Sequence, residues 1–355
     1  MITNPIRVLF DIVHPAHVHF YKHMIVALEK KGVQTSIVAR EKDVTLALLK
    51  AYDLPFVSVG KSEKKNIFNQ GKELFLRDLS IWKLAREFRP DVICTRSPAG
   101  AHVARLCGAV GIFDTDDGPA AGIHYHAAAP FAHIITTPAC ISETYGKKHT
   151  KYPGYKQSAY LHPDHFTPDP QIKKILRVGD GEPYFLVRFV DMVASHDHGE
   201  TGLSLDARDK LINKLKNHGR VFVTTEGAIP SMWKDLQIKI PPHLMHDALA
   251  FAKIQIGDSQ TMAAESAFVG TPSLRVSTFK GRLKYLEELE HRYHLTSSFL
   301  PTQTDDFFAK LDSWLNDDAA LKKVAAGYKQ LIYDTKNIAT WYVDFIIAMA
   351  EKNRS

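Results

Sequence analysis

The chain has 355 residues, 45% hydrophobic and 24% charged, with a formal net charge of +6. This length and apolar share favour two globular cores over one. The cationic excess is scattered, without a recognition-helix pattern or aromatic residues interleaved with basic ones, which argues against a nucleic-acid partner. Cys94, Cys107 and Cys140 lack paired spacing, so no disulfide framework is expected. No apolar run approaches the ~20 residues that span a bilayer, and no secretory h-region precedes the first strand, so a cytoplasmic location is expected.

In chain order, Ile6 to Val13 reads as a first strand, followed by the loop His14-Pro15-Ala16 and a helix from His17 to Lys31 that closes at Gly32. Strands follow at Thr35–Ala39 and Pro55–Val59, separated by a helix at Asp43–Ala51. A helix at Leu74–Phe88 stops at Arg89-Pro90 and leads to a strand at Asp91–Thr95. A helix at Ala99–Val110, a strand at Gly111–Asp114, the acidic loop Thr115-Asp116-Asp117-Gly118 and a strand at Ala132–Thr136 complete a first series. Such alternation predicts a parallel sheet covered on both faces.

Lys151 to Pro170 shows no period and reads as the approach to a second domain. The alternation then restarts, with strands at Tyr184–Val190, Val221–Thr225, Lys253–Gly257 and Ser273–Val276. Helices are expected at Ser204–Asn217, Met245–Ala252, Met262–Val269, Asp305–Leu315 and Asp317–Tyr333. The last stretch, Thr340–Lys352, is an aromatic, apolar helix that should pack on something.

The segment Ile254 to Arg275 carries the clearest chemistry. A short strand ends at Gly257, the polar turn Asp258-Ser259-Gln260-Thr261 follows, and Gly270-Thr271-Pro272 stops the next helix. Such a turn offers backbone N–H groups and hydroxyls at a helix N-terminus, where a phosphate can bind. Glu265, about one turn in, is placed to reach a ribose hydroxyl at the same end. An ordinary capped helix would read the same way.

Other candidates sit where strands end, the edge at which α/β sheets take ligands. His14 and His17 follow the first strand, and an imidazole there can remove a proton from an acceptor hydroxyl. Asp114, Asp116 and Asp117 follow the fifth strand and offer a carboxylate for the same task, although Asp-Asp-Gly-Pro is equally a turn signal. Arg96-Ser97 follows the fourth. In the second half, Arg188 can meet a phosphate bidentately, with Ser195 and His196 beside it, and Thr225 and Glu226 end the next strand. His-x-His occurs at His17/His19, His124/His126 and His196/His198, but with no complete metal-binding motif, so no metal is expected.

Asp11 to Phe20, Arg188-Phe189 with Ala194-Ser195-His196, and Gly257 to Met262 with Glu265 and Gly270-Thr271-Pro272 together resemble a family of uncharacterised proteins with a glycosyltransferase relationship. The layout is also similar to UDP-N-acetylglucosamine 2-epimerases and to the peptidoglycan N-acetylglucosaminyltransferase. The resemblance implies the GT-B fold: two Rossmann-like α/β domains with parallel sheets facing a central cleft, at 1–165 (acceptor side) and 166–335 (nucleotide-sugar side). A C-terminal helix, 336–355, would cross back to the first. It also implies that Asp258, Ser259, Gln260 and Thr261 hold a diphosphate, that Glu265 holds a ribose, and that His243 and His246 lie near the nucleobase. The loop after the first strand lacks the glycines found in the peptidoglycan enzyme, and the histidine-arginine-glutamate segment of the epimerases is absent.

The expectation is therefore a metal-independent glycosyltransferase acting on a nucleotide-diphosphate sugar, with no further cofactor and a saccharide or lipid-linked acceptor in polysaccharide or glycoconjugate synthesis. His14, His17 or Asp116 would serve as base. The alternatives are a sugar-nucleotide epimerase and a non-catalytic nucleotide-sugar binding protein. The aromatic terminal helix leaves peripheral contact with the inner face of a membrane open.

Overall fold

The computed structural model of the protein describes residues 4–42, 44–61, 67–190, 202–225 and 229–355. In chain order they form β1 (Arg7–Ile12), α1 (Pro15–Lys30), β2 (Gln34–Glu41), α2 (Thr45–Ala51), β3 (Val57–Lys61), α3 (Ile67–Phe88), β4 (Val92–Thr95), α4 (Pro98–Cys107), β5 (Val110–Asp114), α5 (Ile123–Ala128), β6 (Ile134–Pro138) and β7 (His149–Tyr152). There follow α6 (Gln171–Ile175), β8 (Tyr184–Phe189), α7 (Leu205–Lys216), β9 (Arg220–Thr225), α8 (Met245–Ala250), β10 (Ile254–Gly257), α9 (Gln260–Phe268), β11 (Ser273–Val276), α10 (Lys284–His291), β12 (Thr296–Phe299), α11 (Thr304–Asn316), α12 (Asp318–Asp334) and α13 (Ile338–Arg354). The chain divides into two compact units, Met1–His165 with Thr335–Ser355, and Phe166–Asp334.

The first unit is a seven-stranded sheet in the order β3-β2-β1-β4-β5-β6-β7, every pair parallel. Val8, Leu9, Phe10 and Ile12 of β1 are all buried, as expected for a strand covered on both faces. On one face Leu9, Val38 and Ile93 meet Ile81 of α3 and Val103 of α4. The last helix, α13, packs along α1 and buries Ile338, Tyr342, Val343, Ile346 and Ala350, a helical spacing that forms one stripe. Its end is tied down by Arg354, which bonds to the Asp91 carboxylate and to the carbonyls of Asn4 and Pro5.

The second unit is a five-stranded parallel sheet in the order β12-β11-β10-β8-β9. Its core gathers Tyr184, Leu186, Ala248, Leu249 and Met262, with Ile172 and Leu176 of the short α6 region. Among the described residues no helix is long and apolar enough to cross a membrane.

Several elements depart from the sequence reading. β7 and β12 are edge strands of four residues, HTKY and TSSF, too short and too polar to show a period. Helix α10 is a further element beyond those expected, with Tyr285, Leu286 and Leu289 as its buried face. α3 begins at Ile67, seven residues before the expected start, and Phe75 and Leu76 on it stay exposed.

Candidate functional site

In the second unit the strand order reverses between β8 and β10, and the loops after these strands lie at the edge where open α/β sheets take ligands. Gly257 ends β10 opposite Arg188 of β8. A Cβ at Gly257 would collide with the Arg188 carbonyl, so only glycine lets these strand ends approach. Asp258 then ties them together. Its N–H donates to the Arg188 carbonyl (3.2 Å), its Oδ1 accepts from the Val190 N–H (2.6 Å), and its Oδ2 accepts from Arg208 of α7 (3.2 Å). Arg208 in turn lies over the Phe189 ring, 4.4 Å from its centroid. Asp258 is thus a buried anchor of the turn, with both carboxylate oxygens bonded to protein.

Ser259 caps α9, its Oγ accepting from the Met262 N–H at 3.3 Å. Ser259, Gln260 and Thr261 are half-buried, and the N–H groups of Gln260 and Thr261 have no partner among the described residues. This is the anion-ready end of the helix. Gln260 is held from behind. Its Nε2 donates to Ser277 Oγ (3.0 Å) and to the Asp258 carbonyl (3.3 Å), and its Oε1 accepts from Arg275. Arg275, on β11, is only 1% exposed and donates also to Ser298 Oγ (3.0 Å). It forms no ion pair among the described residues, and burial lowers its pKa from the ordinary value. A guanidinium with only neutral hydrogen-bond partners adds positive potential to that of the helix N-terminus in front of it.

Glu265 lies farther along α9, buried, with its Oε1 3.3 Å from Nε2 of the buried His246. The Phe166 ring meets that imidazole edge-on. Arg188 donates to Thr224 Oγ1 at 2.8 Å, and Thr225 ends the same strand. Ser195, His196 and Glu226 lie outside the described residues.

In the first unit the order reverses between β1 and β4. His14 follows β1 and caps α1, its Nδ1 accepting from the Ala16 N–H at 3.2 Å. His17 is buried in the first turn, and its Nδ1 accepts from the Val13 N–H at 3.4 Å. Burial, then the charges of Arg96, His14, Lys156 and Lys42, hold its pKa well below the usual imidazole value. With Nδ1 accepting, the single ring proton is assigned to Nε2, so His17 is a neutral hydrogen-bond donor at pH 7 and poorly suited to act as a base.

Behind these loops lies a buried ionic cluster. Asp11 accepts from Arg77, from Thr95 Oγ1 (2.8 Å) and from Ser97 Oγ. Gly100 allows α4 to lie against it, because a Cβ there would strike Thr95 and the Asp11 carboxylate. Arg96 bridges Asp114 and Asp116, and Lys156 pairs with Asp116 at 2.5 Å. Asp114 Oδ2 also accepts from Thr136 Oγ1 (3.1 Å) and from Tyr342 Oη of α13 (2.6 Å). The two cations hold Asp116 well below the usual carboxylate range, against the effect of burial. Asp117 is the opposite case. Its surface remains exposed, while the surrounding protein and the neighbouring Asp116 charge push its carboxyl up to about 6. The acidic loop therefore presents one anchored carboxylate and one accessible carboxylate that titrates near neutrality.

Residue type and spacing alone do not single out Arg77, Lys156, Arg208, Arg275 or Tyr342 as members of these sites. Asp11 in β1 and Arg275 in β11 did carry a signal, since a charged residue inside a doubly covered strand requires a partner. Among the described residues no three His, Cys, Asp or Glu side chains form a group able to hold a metal ion.

Two Rossmann-like parallel-sheet units make this a protein of the GT-B fold class. Residues 6–297 match a family described as "Protein of unknown function (DUF354)", and the chain belongs to that family. No curated protein matches. Among solved structures, the UDP-GlcNAc 2-epimerase from Neisseria meningitidis bound to UDP-GlcNAc is similar at 10% identity and TM-score 0.70, over 97% of this chain and all 100% of that one. MurG of Acinetobacter baumannii is similar at 13% identity and TM-score 0.59, over 97% and 100%. The glycosyltransferase VinC in complex with DTDP is similar at 14% identity and TM-score 0.60, over 98% and 100%.

Proposed function

We propose that the protein is a glycosyltransferase that takes a nucleotide-diphosphate sugar as donor and needs no other cofactor. The observation that carries the reading is the α9 N-terminus: two N–H groups without a partner among the described residues, the Ser259 and Thr261 hydroxyls beside them, and behind them the buried Arg275, which forms no ion pair among the described residues. The donor diphosphate docks there, and the charge that develops on it as the glycosidic bond breaks is stabilised by the same groups. Arg188 adds a second cation at the end of β8. Glu265, held by His246, accepts from the ribose. In the first unit Asp117 takes the proton of the acceptor hydroxyl, the cluster around Asp116 holds its loop in place, and His17 donates a hydrogen bond. A saccharide or lipid-linked acceptor and a cytoplasmic setting belong to the same proposal.

The test is a thermal-shift screen against UDP-, GDP-, CMP- and dTDP-sugars. A donor at 100 times its Kd stabilises the folded state by ~2.7 kcal/mol. Arg275→Met, which replaces the guanidinium by an apolar chain, should weaken the best donor about tenfold, the scale of ~1–2 kcal/mol for a charge at a helix terminus. Absence of any shift, or an Arg275→Met affinity equal to wild type, would refute the diphosphate site. Incubation with donor alone tests the chemistry: appearance of an epimer would replace transfer by epimerisation.

A further inference from the structure

The second unit holds a cavity of about 260 Å³ at the opposite edge of its sheet, where β12 begins. It is lined by Glu290 and His294, which precede β12, by Thr296, by Lys310 and Trp314 of α11, and by Lys323 of α12. Two buried polar atoms here lack a hydrogen-bond partner among the described residues, Thr296 Oγ1 and Glu290 Oε2. Thr296 is only 2% exposed. A buried hydroxyl and a buried carboxylate oxygen without partners are costly to fold around unless something fills the space and bonds to them. His294 adopts a left-handed backbone, φ 57°, on the way into the strand, an uncommon conformation for a non-glycine residue.

The lining also specifies charge. Lys310 and Lys323 come from different helices and converge on the cavity, Lys310 with its ammonium 5.3 Å from the Trp314 ring centroid. Neither lysine forms a salt bridge among the described residues, so two cations face one carboxylate. We propose that this cavity is a binding site for a small hydroxylated anion, a phosphate or carboxylate carried on a short sugar-like chain. The lysines take the anionic group, Glu290 Oε2 accepts from a ligand hydroxyl, and Thr296 Oγ1 exchanges a hydrogen bond with another. The volume lies below the roughly 300–1,000 Å³ of pockets for drug-sized ligands, which leaves no room for a whole nucleotide-sugar. The site stands independently of the proposed transfer reaction.

The experiment is isothermal titration calorimetry of the full chain with glucose 6-phosphate and with glucuronate, using glucose, inorganic phosphate and serine as reference probes. At least one sugar anion should bind saturably, more tightly than phosphate or serine, and glucose should give no signal. Loss of one charge-assisted contact in Lys323→Met should weaken binding about 10- to 100-fold, and Thr296→Val should weaken it less. Thermal unfolding of both variants checks that they fold. Ser259→Ala, at the other edge of the sheet, should leave the affinity unchanged. No heat from either sugar anion would overturn the proposal and leave the cavity to water. So would full affinity in the Lys310→Met/Lys323→Met double variant, loss of binding in Ser259→Ala, or tighter binding of serine.

Discussion

Asp116→Asn tests the assignment of Asp116 as an anchor. Asp116 meets both Arg96 and Lys156, and the side chains of those two cations are each 8% exposed. Asparagine has the same shape but no charge, so Lys156 loses its carboxylate partner and Arg96 keeps only Asp114. Removing one partner from a buried pair costs ~3–5 kcal/mol, because water cannot replace it. For a unit of this size that corresponds to a melting midpoint ~6–20 °C lower. The measurement is thermal and urea unfolding of the full chain at pH 7, with Lys156→Met/Asp116→Asn as a check: removing the stranded ammonium as well should recover part of the loss. The pH dependence has a definite sign. Asp116 has a depressed folded pKa, so its contribution is complete above the unfolded carboxylate pKa and disappears as pH falls through the lower folded value. Asp117, raised to about 6, behaves in reverse: its charge opposes folding increasingly as pH rises from ~4 to ~6, so Asp117→Asn should match or slightly exceed wild type at pH 7. An Asp116→Asn variant within ~1 kcal/mol of wild type would refute the anchor.

Two further outcomes follow from the same cluster. Tyr342→Phe removes a hydroxyl that donates to Asp114 and lies 2.6 Å from Thr136 Oγ1, and it should lower stability by ~1–3 kcal/mol in urea unfolding without altering donor binding. With a donor and acceptor pair in hand, the pH profile of kcat/KM should show an acid limb near 6, reporting the Asp116–Asp117 pair, and Asp117→Asn should remove most of the rate. A limb that survives in Asp117→Asn places the base elsewhere.

How much of this was legible in the sequence follows from what each element buries. β1, β4, β8 and β10 are covered on both faces and so appear as apolar runs, and the turn at 258–261 carries its own capping signal in Ser259. β7 and β12 sit at sheet edges and are written in polar residues, which periodicity does not detect. In the site, residue type identified the candidates but not their partners. Asp11 is paired with Arg77 from a distant helix, and Asp114 with Tyr342 from the end of the chain. Only folding reveals that Asp258 and Asp116 are held by cations, that His17 is buried with its Nδ1 turned to the Val13 N–H, and that Asp117 remains accessible.

The return of α13 to the first unit has a consequence for biosynthesis. A ribosome delivers β1 to β7 early, yet Tyr342 and Arg354, which complete the hydrogen bonding of that sheet's core and edge, are translated only after the whole of the second unit. The amino-terminal half must therefore wait, with the apolar groove along α1 uncovered, while its neighbour is made. Residues translated after the second unit thus close the first.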